Sequence, residues 1–305
     1  PLRPGAPTSR RPYVPAHRAP LRRGRPATRH DVVMPILDKD MTLCISLSAR
    51  PSNNGTRFHN HLYDQLGLPF VYKAFAPTNL EQAIAGVRGL GIRGCAVSMP
   101  FKERVIPLVD QLDPSASAID SVNTIVNDDG HLTAYNTDYS AIQSLLVQHR
   151  VPTDLTVLVR GSGGMAKAVA AALRDAGFTR GTIVARNETA GRQLADRYGF
   201  DWRADVERAT ADLLVNVTPV GMQGSAAHQL AFPAETIAAA SVVMDVVALP
   251  SETPLVAAAR AAGKPVITGA EVATLQALEQ FVLYTGVRPT LEQVRLASEF
   301  ARAAA

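Results

Sequence analysis

A lysine that closely follows an apolar run raises the first chemical question about this chain. In GCAVSMPFKERV, residues 94–105, the apolar run ends at Pro100 and Lys102 follows almost at once. The motif YNTDY supplies Asp138, and SVNT supplies Asn123. Burial in a cleft lowers the pKa of a lysine, whereas a nearby carboxylate raises it again and orients the amine. These residues predict an acid–base pair at a strand end; the alternative is that Lys102 only opens a solvated helix.

A glycine-rich turn, VLVRGSGGMAKAV, predicts a dinucleotide site. Gly161, Gly163 and Ala166 stand at G-x-G-x-x-A spacing, after a predicted strand and at the start of a predicted helix. Gly161 permits the tight turn, and Gly163 lets the backbone approach a pyrophosphate that the helix N-terminus stabilises. Ala166 is small enough for close packing of helix on strand. The competing interpretation is an ordinary turn between a strand and a helix.

The end of the next predicted strand concerns the choice of cofactor. An NAD site would carry Asp or Glu at this point for the ribose hydroxyls, but the chain has Ala185, Arg186 and Asn187. A guanidinium suits a 2′-phosphate, so NADP is predicted, with NAD as the alternative. Arg192, further along, could share that phosphate. The competing interpretation is that Arg186 is simply solvated.

Alternating strand and helix patterns predict the framework that positions these residues. In the first block, strands are predicted in TLCISLS, FVYKAFAP and RGCAVSMP, and helices in TRFHNHLYDQLGL, NLEQAIAGVRGLG and KERVIPLVDQL. Such alternation predicts a mostly parallel sheet. Asp129-Gly130 then predicts a hairpin between two strand-like runs.

A second alternating block follows from about residue 153. Its predicted strands are LTVLVR, GTIVA, DLLVNV, SVVMDVV and PVITG, and its clearest helix is GMAKAVAAALRDAG. The chain ends in two predicted helices, ATLQALEQFVLYTG and TLEQVRLASEFARAA. Two blocks of this kind predict the α/β fold class, with two α/β domains and a cleft between them.

The basic charge of the chain is concentrated at its beginning. The net charge is +4, but residues 1–30 hold eight arginines and no acid. The remainder has 23 basic and 27 acidic residues, so no nucleic-acid partner is predicted for it. The proline-rich start is predicted to be a disordered or non-native extension. An arginine-rich targeting or nucleic-acid arm is the alternative.

Cysteines, histidines and hydropathy argue against a disulfide-rich protein, a metal-binding protein and a membrane protein. Cys44 and Cys95 lie in apolar runs and are predicted to be buried thiols in a reducing cytoplasm. His59 and His61 are two positions apart and cannot share a helix face, so no metal site is predicted. No apolar stretch reaches the length of a membrane helix, so no membrane partner is expected.

Seven motifs in order carry a resemblance to a known family. They are AVSMPFK, SVNT, YNTD, GSGGMAKA, VNVTPVGM, MDVVALPSETPL and TLQALEQFVLYTG. Any one of these motifs occurs in unrelated proteins, but all seven in this order are specific for one family. On these motifs the chain resembles the shikimate dehydrogenase family. The resemblance implies a substrate domain and a Rossmann NADP domain. It also implies reversible reduction of 3-dehydroshikimate to shikimate by NADPH.

The resemblance implies roles for individual residues. Lys102 and Asp138 match the catalytic pair, Asn123 and Gln276 match contacts to substrate hydroxyls, and Ser98 replaces the family's threonine. The residues assigned to the cofactor are Gly161, Ser162, Gly163, Gly164, Met165, Ala166, Arg186, Asn187, Thr218 and Met222. Met222 is expected near the nicotinamide.

Departures from the family pattern fall on the substrate side. The family's Ser-x-Ser, which binds the substrate carboxylate just before His-Asn, aligns without gaps to Asn53 and Gly55. Ser46 and Ser48 have the pair spacing but lie too far upstream to match without an insertion; they are predicted as substrate-binding residues. Ala248 replaces an expected tyrosine. These differences predict a divergent branch whose substrate is shikimate or a related ring acid such as quinate; a metabolite-sensing protein with little turnover is the rival.

The resemblance also gives a domain assignment. Residues 1–40 form the extension, 41–139 the substrate-binding catalytic domain, and 140–271 the Rossmann NADP-binding domain. Residues 272–305 are helices that return to the substrate domain. The expected partner is a small-molecule substrate, and the chain is expected to be a monomer or homodimer.

Overall fold

The computed structural model of this protein describes residues 37–303. The predicted extension lies outside the described residues as far as residue 36. Both sheets of the fold lie in the compact unit Lys39–Ala305.

The first sheet combines parallel and antiparallel strands. Its order is β2-β1-β3-β5-β6-β4. β1 pairs in parallel with β2 and β3, whereas β5 runs antiparallel to β3 and β6. The strands are β1 Thr42–Leu47, β2 Phe70–Phe75, β3 Gly94–Val97, β4 Gln111–Leu112, β5 Thr124–Asp128 and β6 His131–Tyr135.

The predicted hairpin is present between β5 and β6. Asp129 and Gly130 connect the strands with φ angles of 52° and 90°. Two consecutive positive φ values match the twist of a tight hairpin, and glycine adopts them without steric cost. The hairpin brings Asn123, just before β5, beside the start of the helix that follows β6.

The helix predicted over KERVIPLVDQL is wrong. The segment forms turns, a single 3₁₀ turn at Ile106–Leu108, and the short strand β4. Pro107 lies inside the segment and has no backbone N–H to donate, so an α-helix cannot continue through it. Lys102 therefore lies in a turn after β3 and not on a helix.

The second sheet is wholly parallel. Its order is β12-β11-β10-β7-β8-β9, the doubly wound arrangement with a crevice where the order reverses between β7 and β10. The strands are β7 Val157–Arg160, β8 Gly181–Val184, β9 Asp201–Arg203, β10 Leu213–Asn216, β11 Val242–Asp245 and β12 Val266–Thr268. The α/β fold class is confirmed, and β9 is a strand that the sequence patterns did not predict.

Helices cover the faces of both sheets. The helices are α1 Asn53–Leu66, α2 Leu80–Gly89, α3 Pro114–Ser117, α4 Thr137–Gln148, α5 Gly164–Ala176, α6 Glu188–Tyr198, α7 Ala234–Ala239, α8 Pro254–Ala261, α9 Gly269–Thr285 and α10 Leu291–Arg302. In the second sheet, α5 and α6 pack on one face and α7 and α8 on the other. In the first sheet, α1, α9 and α10 share one core and α2 packs in the other.

Two helices connect the sheets. α4 leaves the first sheet and α9 returns to it, and the two pack against each other. A capping box between Thr268 and Glu271 starts α9 directly after β12. At the other end of α9, a Cβ on Gly94 would lie 2.3 Å from the Tyr284 ring, so only glycine allows this close packing of α9 on β3. The C-terminal helices thus cover the first sheet.

Both cysteines are buried free thiols. Burial raises the pKa of Cys44 to about 11 and also raises that of Cys95. Among the described residues, no group of three or more histidine, cysteine or acidic side chains could hold a metal ion. Within the same range, no helix is long and apolar enough to cross a membrane.

Candidate active site

Lys102 is held in a tight turn at the carboxyl end of β3. The buried ring of Phe101 anchors the turn, and the Phe101 N–H donates to the Ser98 carbonyl over 2.9 Å. The Val122 N–H donates to the Lys102 carbonyl over 2.8 Å. With the backbone fixed on both sides, the side chain reaches Asp138, where Nζ lies 2.6 Å from Oδ2.

Asp138 belongs to the first turn of α4. Asn136 caps this helix by accepting from the Tyr139 N–H over 3.1 Å. The partial positive charge of a helix N-terminus stabilises a carboxylate in the first turn. The Lys102 and Asp138 side chains are 27% and 11% exposed, so the pair is sheltered but the amine is still reachable. Such an amine can exchange a proton with the oxygen of a bound ligand.

Asn123 is locked by its neighbours. Its Oδ1 accepts from Thr124 Oγ1 over 2.8 Å, from the Thr137 N–H over 2.8 Å and from Thr137 Oγ1 over 3.2 Å. Three donors on one oxygen fix the orientation of the amide. The amide NH₂ group is consequently the part of this side chain available to a ligand in the pocket.

Gln280 is a pocket residue that the sequence interpretation missed. Its Nε2 donates to the Asn123 carbonyl over 3.1 Å and to Thr124 Oγ1 over 2.9 Å. The predicted Gln276 lies four residues earlier on α9, and both line the pocket. Residues four apart share a helix face, so that spacing could have identified Gln280.

Lys102, Asn123, Gln276 and Gln280 line one pocket. Its volume is about 360 Å³, within the usual range for small-molecule sites. The predicted residues that the structure brings together in this pocket are Ser46, Ser48, Ser98, Lys102, Asn123 and Gln276. Asp138 stands behind Lys102. Of the two positions that replace the Ser-x-Ser pair, Gly55 lines the pocket and Asn53 does not. Ala248 and Leu249, which follow β11 of the second sheet, also line it.

An uncharged aromatic pair forms part of the pocket wall. The His59 and Tyr72 rings stack with their centroids 4.4 Å apart and an interplanar angle of 7°. Burial lowers the pKa of His59 to about 3, so the imidazole is neutral near pH 7. Burial raises the pKa of Tyr72, so its phenol is also neutral. This part of the wall is therefore uncharged, and both rings are almost fully buried.

The glycine turn forms an open anion cradle. Gly161 has φ +128°, and a Cβ there would lie 2.7 Å from Val217 Cγ2, so a side chain is excluded. A Cβ on Gly163 or Gly164 would meet no atom within 4 Å, so both face open space. No side chain caps α5, whose first N–H groups are left for a ligand. Ala166 is buried against the strand, and Ser162 and Met165 flank the turn.

Two arginines stand at the ends of the neighbouring strands β7 and β8. Arg186 is exposed after β8, and Arg160 is the last residue of β7. Burial lowers the pKa of Arg160, and the charge of Arg186 lowers that pKa further. Arg160 also donates to the Ala231 carbonyl. The sequence interpretation missed Arg160, although it directly precedes the glycine turn.

Arg192 does not join this pair. Its Nε lies 2.8 Å from Glu188 Oε1, and its guanidinium lies 4.3 Å from the centre of the Trp202 ring. Asn187 caps α6 by accepting from the Ala190 N–H over 3.0 Å. Its side-chain oxygen is therefore already engaged by the helix start.

A buried polar network fixes the loops after β10 and β11. Asn216 Oδ1 accepts from Thr218 Oγ1 over 2.6 Å, and Asn216 Nδ2 donates to Asp245 Oδ1 over 3.0 Å. Thr253 Oγ1 donates to Asp245 Oδ2 over 2.6 Å. Burial raises the pKa of Asp245, and the hydrogen bonds that its carboxylate accepts partly oppose that rise. Thr218 is thus held at the crevice, whereas Met222 in the same loop is partly exposed.

One ion pair joins the two halves of the site. Lys167 in the first turn of α5 lies 2.7 Å from Glu103, the residue after Lys102. The turn that carries the amine is therefore tied to the helix that begins at the glycine cradle.

Comparisons with known proteins agree on one family. The profile of the shikimate dehydrogenase substrate binding domain matches residues 52–125. A shikimate dehydrogenase-like protein of Haemophilus influenzae is 55% identical over 268 residues, which cover 88% of this chain and 99% of the relative.

Two solved structures have the same fold. A Thermus thermophilus shikimate 5-dehydrogenase in complex with NADP(H) and shikimate is 29% identical, with a TM-score of 0.76 over 86% of this chain and all of the other. A Corynebacterium glutamicum quinate dehydrogenase in complex with NAD is 28% identical, with a TM-score of 0.77 over 84% of this chain and 98% of the other.

Proposed function

Because this chain belongs to the shikimate dehydrogenase family, we propose that it is an NADP-dependent oxidoreductase that reversibly reduces 3-dehydroshikimate to shikimate. The observation that carries the proposal is the 2.6 Å contact between Lys102 Nζ and Asp138 Oδ2. This pair lies at a pocket that residues from both sheets line. A metabolite-sensing protein would have no use for a sheltered amine held by a carboxylate in its ligand pocket.

The residues of the crevice fit NADP. The open glycine turn and the uncapped α5 suit a pyrophosphate, because free N–H groups and the helix dipole stabilise its charge. Arg186 follows β8, where a guanidinium would distinguish the 2′-phosphate of NADP from NAD, and Arg160 at the end of β7 would add positive charge to the crevice. Thr218 and Met222 belong to the loop at the reversal point, where the nicotinamide half would lie. NAD remains the alternative cofactor.

Lys102 supplies the acid–base step. The glycine turn and Arg186 would hold NADPH, which would supply the hydride for the carbonyl carbon of the substrate. Lys102 Nζ gives a proton to the carbonyl oxygen, which becomes the new hydroxyl, and takes that proton back in the reverse direction. Asp138 Oδ2 holds the amine in position for this transfer.

Other pocket side chains orient the ring. The NH₂ group of Asn123 and the side chain of Gln276 are available to substrate hydroxyls, and Ser98 lies at the end of β3 near Lys102. The stacked rings of His59 and Tyr72 back the pocket without adding charge to it. Such positioning raises the rate because the reacting groups are held together before reaction.

Quinate is the second candidate substrate. Gly55 and Ala248 both line the pocket and carry little or no side chain, which leaves room for an additional hydroxyl on a saturated ring. The fold match to the quinate dehydrogenase of Corynebacterium glutamicum supports this candidate. The two substrates share the carboxylate and ring hydroxyls, so the same groups would orient both.

We also propose a division of the chain into working parts. Residues 41–139 and the C-terminal helices from 272 onward would bind the substrate, and residues 140–271 would bind NADP. The packing of α9 and α10 on the first sheet and the parallel order of the second sheet support this division.

A steady-state assay tests the proposed function. Oxidation of shikimate and of quinate is followed with NADP⁺ and with NAD⁺, and Lys102→Ala serves as the inactive control. We expect turnover of shikimate with NADP⁺ that the Lys102→Ala variant loses. Faster turnover of quinate would select the second candidate. Binding of shikimate without turnover with either cofactor would favour the metabolite-sensing rival.

A further inference from the structure

The charges that line the substrate pocket are all of one sign. The lining contains three charged side chains, those of Arg50, Lys102 and Arg302, and no Asp or Glu. Asp138 pairs with Lys102. Within residues 37–303, neither arginine forms an ion pair with a carboxylate. Two guanidinium groups are therefore free for a ligand.

Arg50 is placed by the end of β1. Its N–H donates to Ser48 Oγ over 3.2 Å, and the Ala49 N–H donates to the Met99 carbonyl over 3.3 Å. These bonds fix the start of the loop between β1 and α1. Arg50 thus lines the same pocket as Ser46 and Ser48.

Arg302 is placed by the end of α10. Ser298, Ala301 and Arg302 all line the pocket, and their i, i+3, i+4 spacing puts them on one helix face. Arg57 on α1 holds this helix end: its Nη2 donates to the Phe300 carbonyl over 2.7 Å, and its guanidinium lies 3.9 Å from the centre of the Phe300 ring. The position of Arg302 is therefore set by packing between α1 and α10.

The arginines and the amine reach the pocket from different elements of the fold. Lys102 follows β3 and pairs with the start of α4, after β6. Arg50 follows β1, and Arg302 ends a helix that packs on α1, which covers β2 at the edge of the sheet. β1 and β3 are neighbouring strands, about 4.8 Å apart, so Arg50 and Lys102 follow adjacent strand ends, within reach of one small ring acid.

We propose that Arg50 and Arg302 bind the carboxylate of the substrate and make this protein selective for ring acids over their neutral analogues. The inference rests on the proposed function for the identity of the ring, and it adds a pair of specificity residues to it. Guanidinium groups make paired hydrogen bonds to carboxylates and stay charged at all relevant pH values. Ser46 and Ser48 line the same pocket, and their hydroxyls can donate to a carboxylate bound there.

Binding of shikimate and of its methyl ester tests the proposal. Calorimetric dissociation constants are measured for the wild type, Arg50→Ala, Arg302→Ala and the double variant. A charge-assisted hydrogen bond lost in a partly solvated site corresponds to about a tenfold loss of affinity. We expect about tenfold weaker binding of the acid for each single variant and about 100-fold for the double variant, with unchanged binding of the ester. Added salt should weaken acid binding to the wild type more than to the double variant.

Arg295→Ala is the matched control. Arg295 is on α10 as well but pairs with Glu292 and Glu299 on the surface, so its loss should leave both ligands unaffected. Equal losses for acid and ester would overturn the proposal, because they would indicate a change of pocket shape. Unchanged acid binding in the double variant, or no binding of the acid to the wild type, would also overturn it.

Binding and turnover measured on the wild type and the arginine variants distinguish failure of this proposal from failure of the proposed function. Arginine-dependent binding of the acid without turnover would support the carboxylate site and contradict the dehydrogenase activity. Turnover of shikimate that is unchanged in both arginine variants would support the dehydrogenase activity and contradict the carboxylate site.

Discussion

Replacement of Lys102 and Asp138, singly and together, gives the sharpest measure of the acid–base pair. Lys102→Ala removes the amine that would exchange the proton, and Asp138→Asn keeps the shape but removes the charge that holds it. Only 2.6 Å separates the two groups, so they should act as one unit.

The expected decrease in kcat follows from the role of the pair in proton transfer. Loss of a positioned general acid lowers kcat by about 10²- to 10⁴-fold, which raises the barrier by about 2.7–5.5 kcal/mol at 1.36 kcal/mol per decade. For Lys102→Ala we expect a loss of about 100-fold or more. If Lys102 and Asp138 acted independently, two losses of about 10² would multiply to about 10⁴. Because they are in contact, the double variant should be little slower than Lys102→Ala alone.

Steady-state kinetics with shikimate and NADP⁺ measure kcat, and fluorescence titration measures NADPH binding. Cofactor affinity should survive in all three variants, since neither residue belongs to the glycine turn or to the arginine pair. Lys73→Ala, an exposed lysine on β2, controls for the loss of a surface charge. Near wild-type kcat in Lys102→Ala, or multiplying losses in the double variant, would refute the assignment.

Three further changes test the cofactor site, the pocket wall and the packing. Arg186→Ala should weaken NADP binding by about 10- to 100-fold and leave NAD nearly unchanged in parallel titrations, whereas equal weakening would show that Arg186 is only a surface residue. His59 has a folded pKa of about 3, below the unfolded value of 6.5, so its contribution to stability is full above pH 6.5 and is lost as the pH falls. The free energy of unfolding, measured with urea at several pH values from 7 to 5, should depend on pH less steeply in His59→Phe than in the wild type, by up to about 1.4 kcal/mol per pH unit. The same pH dependence in both proteins would contradict the buried neutral imidazole. Gly269→Ala would bring a Cβ within 2.3 Å of the Val247 backbone, and we expect a loss of about 1–3 kcal/mol in thermal unfolding. Gly86→Ala, inside α2 with no atom within 4 Å, should instead be stabilising by up to about 1 kcal/mol, and equal effects of the two would exclude crowding as the cause.

Local patterns predicted much of the fold because each depends on residues close together in the chain. The Asp129-Gly130 hairpin and the parallel second sheet were predicted from turn residues and alternating segments, and the structure has both. The KERVIPLVDQL helix was predicted from apolar spacing alone, and Pro107 prevents it. The short strand β9 carries too few residues for a periodic signal.

Family membership was also predictable from the sequence, because seven ordered motifs are far more specific than any one of them. The comparisons confirm that membership. The roles of Lys102 and Asp138 remain predictions, but their contact shows that the motifs identified groups that meet in space.

The chain by itself therefore determined the chemistry-bearing residue types, the order of its elements and its family. The tertiary structure decided which distant side chains share the pocket: Gln280 beside Asn123, Arg160 beside Arg186, and Arg302 on the same pocket as Arg50. Periodicity shows which face of an element is apolar, but not which other element packs against it. A pocket is formed where the ends of several elements converge, and that convergence depends on how both sheets and their helices pack together.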